Sequence, residues 1–177
     1  MKKRIPDMVL SAICVMAVFA AFNAPAAEGL RDESKEALHN FVKADSTLQK
    51  FLDESAGYVV FPNVGKGGLV VGAARGKGVL YEKKNPTGVA TMTQASIGAQ
   101  AGGQTFAELI FFETPTALKD FKDGKFEMSA EVSAVAAAEG ASKAAKYKQG
   151  VAVFTLPKKG LMVQASIGGQ KFKFEPL

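Results

Sequence analysis

The sequence predicts an α+β fold: a strongly curved antiparallel sheet or partial barrel of about seven or eight strands, with N-terminal helices and one mid-chain helix. Three observations predict it. From Tyr58 to Tyr81, the apolar runs Tyr58–Phe61, Leu69–Val71 and Val79–Tyr81 are separated by six glycines, at 65, 67, 68, 72, 76 and 78. β-branched and aromatic runs punctuated in this way read as strands. Helical spacing of apolar residues is clearest before Gly57 and again after Thr114. Finally, Gln94-Ala95-Ser96-Ile97-Gly98 recurs as Gln164-Ala165-Ser166-Ile167-Gly168, 70 residues later. That interval is too long for a solenoid unit and fits two similarly curved strands bent at glycine.

Residues 1–27 read as a cleaved signal peptide. Lys2, Lys3 and Arg4 form a basic start, Met8 to Phe22 is an apolar run, and Ala24-Pro25-Ala26 is an A-x-A-like cleavage site. The run is short for a bilayer span. The expectation is an exported protein, periplasmic or envelope-associated, with residues 28–177 as a single domain. Cys14 is the only cysteine and falls in the removed segment, and His39 is the only histidine. The mature chain therefore has no disulfide, no thiolate metal site and no histidine-rich zinc site, and no cofactor is expected.

Along the domain, Glu28 to Lys43 reads as a helix with Leu30, Ala37, Leu38 and Phe41 on one face. Asp45 or Ser46 caps a second helix carrying Leu48, Phe51 and Leu52, closed by Gly57. Gly65-Lys66-Gly67 and Gly76-Lys77-Gly78 read as tight turns, and Gly72 as a bulge. Lys83 to Gly88 is a basic turn, and Val89 to Ile97 a strand. Leu109 to Phe112, apolar without alternation, is a strand buried on both sides. Thr114-Pro115 opens a helix by capping followed by proline at its first position, and Gly124 ends it. Lys125 to Ala137 has helical composition but strand alternation, and is assigned as strand. A hairpin turning at Pro157-Lys158-Lys159-Gly160 and a last strand at Lys171 to Phe174 complete the chain.

Charge narrows the function. Glu28 to Glu54 holds four basic and seven acidic residues, whereas Ser55 to Leu177 holds fifteen basic and nine acidic. The glycine-rich β portion is the cationic part. Such a surface either meets anionic lipid headgroups or other envelope polyanions, or keeps the chain soluble. Nucleic acid is not expected, because a chain without tryptophan and with three tyrosines offers few stacking platforms. The glycines do not spell a Walker loop or a dinucleotide fingerprint. Neither a G-x-S-x-G elbow nor an H-E-x-x-H pair is present. Glu127 and Glu131 read as a solvated face, so an enzyme is not expected. The turn lysines Lys66, Lys77, Lys83, Lys84, Lys158 and Lys159 are the candidate lipid contacts.

Three blocks carry a family likeness: Phe61 to Gly72 with Gly76 to Leu80; Ser96 to Gln104 with Leu109 to Phe112; and Lys159 to Gly169. Together they resemble the SYLF domain, also called the Ysc84 actin-binding family. The resemblance covers essentially the whole chain after residue 27. It implies a non-enzymatic module that binds anionic phospholipid membranes. Actin is not carried over, because an exported protein does not meet it. The alternative is a self-associating envelope component, a homo-oligomer that pairs through exposed strand edges.

Overall fold

The computed structural model describes residues 24–67, 71–97, 104–129, 131–159 and 169–177. Helix α1 (Ala24–Ala44), a 3-10 turn (Ser46–Leu48) and α2 (Gln49–Glu54) precede the strands β1 (Gly57–Gly67), β2 (Val71–Glu82), β3 (Asn85–Ile97) and β4 (Gln104–Phe112). Helix α3 (Pro115–Lys122), a short β5 (Ala134–Ala136), a second 3-10 turn (Ala141–Ala144), β6 (Val151–Lys159) and β7 (Gln170–Pro176) complete the fold. The seven strands form one sheet in the order β5-β6-β4-β1-β2-β3-β7. All neighbours are antiparallel except β5 and β6, which pair in parallel. The α+β class and strand number agree with the sequence reading, while the sheet is mixed rather than purely antiparallel.

Both faces of the sheet are dry at its centre because the middle strands are apolar at consecutive positions. Tyr58, Val60, Val79, Tyr81, Leu109, Phe111 and Phe154 pack beneath α1 and α2 through Phe41, Leu48 and Phe51. Val59, Phe61, Leu80, Ile110 and Phe112 face the other way, against Leu118 and Phe121 of α3 and against Met128 and Val132. The sheet curls strongly toward that second side. Phe172 on β7 lies 6.0 Å from the Phe61 ring on β1 and 5.1 Å from the Phe121 ring. Gln170 on β7 donates to Glu108 on β4 at 3.0 Å, although β1, β2 and β3 separate those strands within the sheet. The sheet is not closed, since β5 and β7 remain its edges.

Several local expectations change. Gly76-Lys77-Gly78 is not a turn but the middle of β2, paired with Thr91 and Asn63 at Lys77. Gly78 is needed for close approach: a Cβ there would stand 2.5 Å from the Val60 carbonyl oxygen and 2.7 Å from the Phe61 ring. The bulge falls at Phe61–Asn63 around Pro62, which cannot donate to a ladder, while Gly72 keeps regular register opposite Ser96. The basic turn shortens to Lys83 and Lys84, both at positive φ (49° and 68°) between paired Glu82 and Asn85. This is the geometry of a two-residue hairpin whose twist matches its strands. The strand expected over 125–137 is reduced to a Glu127–Lys171 bridge and to β5. The two flank a less regular run in which Val132 donates to Ser129. Pro157, Lys158 and Lys159, expected in a hairpin turn, instead continue β6, with Pro157 paired to Phe106 and Lys159 to Thr105. Gly160, the strand Leu161 to Ile167 and the second copy of the echo lie outside the described residues.

The helical expectations agree more closely. Asp45 caps the first 3-10 turn, its carboxylate accepting from Thr47 N–H. Thr114 caps α3, with Pro115 in its first turn. Helix α1 starts at Ala24, ahead of the residues expected to be helical.

Candidate functional site

The six lysines singled out from the sequence do not share one place. Lys83 and Lys84 occupy the β2–β3 turn at one end of the sheet. Lys84 Nζ is 2.9 Å from Asp53 Oδ1, an exposed pair of the kind that contributes little to stability. Lys66, paired with Ala74, and Lys159, paired with Thr105, lie toward the opposite end, and their side chains are outside the described residues. Lys83 follows Ala74 by nine positions along β2 and its turn, roughly 30 Å of extended chain. Lys158 is exposed near that far end and donates to Asn63 Oδ1 at 3.0 Å. Lys77 projects from the middle of β2.

What the fold does assemble is a basic face across β2, β3 and β7. Arg75 stands opposite Thr93, which stands opposite Lys171. One pair along, Lys77 stands opposite Thr91, which stands opposite Lys173. Residues two apart on a strand point the same way, so all four cations emerge on one face while Ala74, Gly76, Met92, Gln170 and Phe172 turn inward. Strand spacing places the two columns roughly 10 Å apart, with roughly 7 Å between rows. Lys158 joins this face through Asn63, whose amide donates to Glu33 of α1 at 2.7 Å.

Carboxylates temper the patch without cancelling it. Lys171 is 3.5 Å from Glu127 and Lys173 is 2.8 Å from Glu175, all four largely exposed. The hydrogen bond with Lys173, then the charges of Lys173 and Lys77, hold the Glu175 carboxyl below its ordinary value. Arg75 and Lys77 have no ion-pair partner among the described residues. A shallow depression bordered by Gly29, Leu30, Glu33, Lys77, Val89 and Glu175 separates this face from the start of α1. The signal that would have located the face is the pair of alternating motifs, Arg75-x-Lys77 and Lys171-x-Lys173, each on a strand. Reading Gly76-Lys77-Gly78 as a turn concealed the first.

The groups considered for catalysis stand apart. His39 is exposed on α1. Glu127 pairs with Lys171, and Glu131 accepts from Gln149 at 3.4 Å. Among the described residues no cluster of three His, Cys, Asp or Glu side chains is arranged to hold a metal.

Residues 93–175, from the upper part of β3 to β7, match the family described as Ysc84, Las17-binding protein actin regulator. The chain carries a Ysc84-type domain. The matched span includes Lys158, Lys171 and Lys173 of the basic face, while Arg75 and Lys77 lie before it. The chain is also similar to beta cell expansion factor A of Aeromonas veronii, 32% identical over 139 residues. That alignment covers 77% of this chain and 52% of the relative, so the chain spans about half the relative's length.

Proposed function

We propose that this Ysc84-type chain is a non-enzymatic, exported module that binds anionic phospholipid membranes, and that its contact is the β2–β3–β7 face. The observation that carries the reading is the two-by-two arrangement of Arg75, Lys77, Lys171 and Lys173 on one exposed sheet surface. Threonines between the cations leave the surface low, so several cations can approach a headgroup plane together. Each contributes about 1 kcal/mol near an anionic surface. With Glu127 and Glu175 offsetting part of the charge, association is weak, reversible and salt-sensitive.

Co-sedimentation with vesicles of rising phosphatidylglycerol content tests this at low and at physiological salt. Binding is expected to grow with anionic content, to fall with salt and to drop at least tenfold on R75Q/K77Q/K171Q/K173Q. The K83Q/K84Q variant, changed at the far end of the sheet, is expected to retain nearly full binding. Equal loss in both variants would point to nonspecific net charge. Binding that ignores salt would move the contact to an apolar surface, and no binding to any vesicle would leave self-association as the better reading.

A further inference from the structure

A second site lies on the other side of α1 from the basic face. There α2 leans over Phe111 and Phe154 while residues 141–147 run alongside it, and a half-open cleft of about 760 Å³ remains between them. Its floor is aromatic: the Phe51 and Tyr147 rings are 5.3 Å apart, with Ala145 beside them. Lys50, Lys143 and Lys146 line the opening and are exposed. Among the described residues none of the three ammonium groups has an ion-pair or hydrogen-bond partner, unlike those of Lys84, Lys119 or Lys122. The Tyr147 hydroxyl is buried away from solvent without a hydrogen-bond partner among the described residues, so the ring, not the hydroxyl, is what Tyr147 offers the cleft.

The walls are fixed by Asp45, buried where α1 meets the first 3-10 turn. Its carboxylate accepts from Thr47 N–H at 3.0 Å, Gly140 N–H at 3.1 Å and Ser142 N–H at 2.7 Å, tying the α2 side of the cleft to the 140s segment. Burial alone would raise its pKa. Hydrogen bonds from Thr47 and Ser142 outweigh that and hold it at about 2. The clamp is therefore a carboxylate at any ordinary pH, and the cleft it defines is built in advance of a ligand.

We infer that this cleft holds a single-chain monoanionic amphiphile, its hydrocarbon on Phe51, Tyr147 and Ala145 and its head among Lys50, Lys143 and Lys146. The volume lies within the roughly 300–1,000 Å³ of small-molecule sites. Glu54 and Glu113 also line the cleft, so three cations face two carboxylates. That balance suits one negative charge better than a polyphosphorylated head, which the glutamates would repel. An apolar floor would be wasted on a free inorganic anion. The chemistry is common to a fatty acid and to a lysophospholipid, and neither requires a bilayer, so the inference stands apart from membrane binding by the β2–β3–β7 face.

The test is calorimetric titration of the full chain with dodecanoate below its micelle concentration, followed in parallel by tyrosine emission, which no tryptophan obscures. Saturable one-to-one binding is expected, at least tenfold tighter than for dodecyltrimethylammonium. The K50Q/K143Q/K146Q variant is expected to weaken it roughly tenfold or more, as the loss of charge-assisted contacts implies. Ala145→Trp is expected to block it by filling the floor. R75Q/K77Q/K171Q/K173Q is expected to bind dodecanoate normally, which separates this site from the membrane face. A matched titration with lysophosphatidylglycerol tells the two head chemistries apart, and saturation by either one supports the site. Equal binding of the cationic amphiphile, indifference to the triple lysine change, or no saturation by either anion would overturn it. Because Lys50, Lys143 and Lys146 are exposed, their variant remains decisive even where Ala145→Trp fails to fold.

Discussion

The β1–β2 hairpin is built differently along its length, and its two halves explain much of this molecule. In the lower half, Tyr58, Val59, Val60 and Phe61 face Val79, Leu80 and Tyr81, and all seven are buried. Tyr58 and Tyr81 stack at 5.2 Å. Helices cover one side and α3 the other, so consecutive positions must all be apolar. In the upper half only one side stays dry, with Val64 and Ala74 buried, while Gly65, Ala73, Arg75 and Lys77 are exposed. The period of the sequence changes where the covering layer ends. A strand is thus core over half its length and binding surface over the rest, without any break in its hydrogen bonding.

Glycine substitutions separate the halves most sharply. Gly78 faces inward at the junction, and a valine there must displace the Val60 carbonyl or the Phe61 ring. Gly78→Val is expected to cost about 3 kcal/mol or more, the upper range for overpacking. Gly65 has nothing within 4 Å of the position a Cβ would occupy. Gly65→Ala is expected to stabilise by about 0.5–1 kcal/mol, because the unfolded chain loses freedom. Urea melts of both variants read the contrast directly. Equal destabilisation by the two would mean that the upper half is covered by something other than solvent.

A charge marks the boundary between the halves. Glu108 on β4 pairs with Phe61 and Thr155, is fully buried, and accepts only from Gln170 among the described residues. Burial pushes its pKa up to about 7, the Gln170 hydrogen bond pulling back only in part. A pKa raised above the unfolded value of 4.5 means that the folded state favours the protonated acid. The stability this gives is fullest below about pH 4.5 and is lost as pH rises through about 7. Glu108→Gln removes the titration and is expected to raise stability at pH 8 by an amount on the order of 3 kcal/mol, with little change near pH 4. Melting temperatures at the two pH values decide it. A variant that melts in parallel with the parent at both would place the ionised carboxylate comfortably in the native state.

The parts of this fold written in short-range patterns were legible in the sequence. Thr114-Pro115 announces α3, Asp45 announces the cap of the first 3-10 turn, and the unbroken Leu109–Phe112 run announces a strand covered on both faces. What could not be read depended on partners distant in the chain. Gly78 looks like a turn residue until Phe61 is placed against it, and Lys77 then passes from a loop to a strand face. The basic face needs β7 to return beside β3, a pairing more than 70 residues long in sequence. The cleft needs Asp45 to reach Gly140 and Ser142, nearly 100 positions away. No spacing rule connects such residues. The segment 125–137 misled for another reason: its alternation is real, but packing of Phe126, Met128 and Val132 beneath the curled sheet fixes it, with only a short contact to β7 through the Glu127–Lys171 bridge and the Met128 backbone.

The smallest effect concerns the turn that the hairpin makes at its apolar end. Lys83 and Lys84 hold φ of 49° and 68°, a region where side chains other than glycine, asparagine and aspartate sit under strain. Such strain persists where surrounding structure enforces it, and here the buried rungs above, Tyr58↔Tyr81 and Val59↔Leu80, are sufficient to do so. A role for these lysines in binding would be a second reason to tolerate it. The two reasons separate in K83N/K84G, which installs the residue pair this turn geometry prefers. The change is expected to stabilise by about 1 kcal/mol after the exposed Lys84–Asp53 pair is forfeited, and to leave vesicle binding at parental strength. A stabilised variant that no longer sediments with anionic vesicles would show that the strain is kept for function, and would shift the membrane contact from the bare half of the hairpin to its buried end.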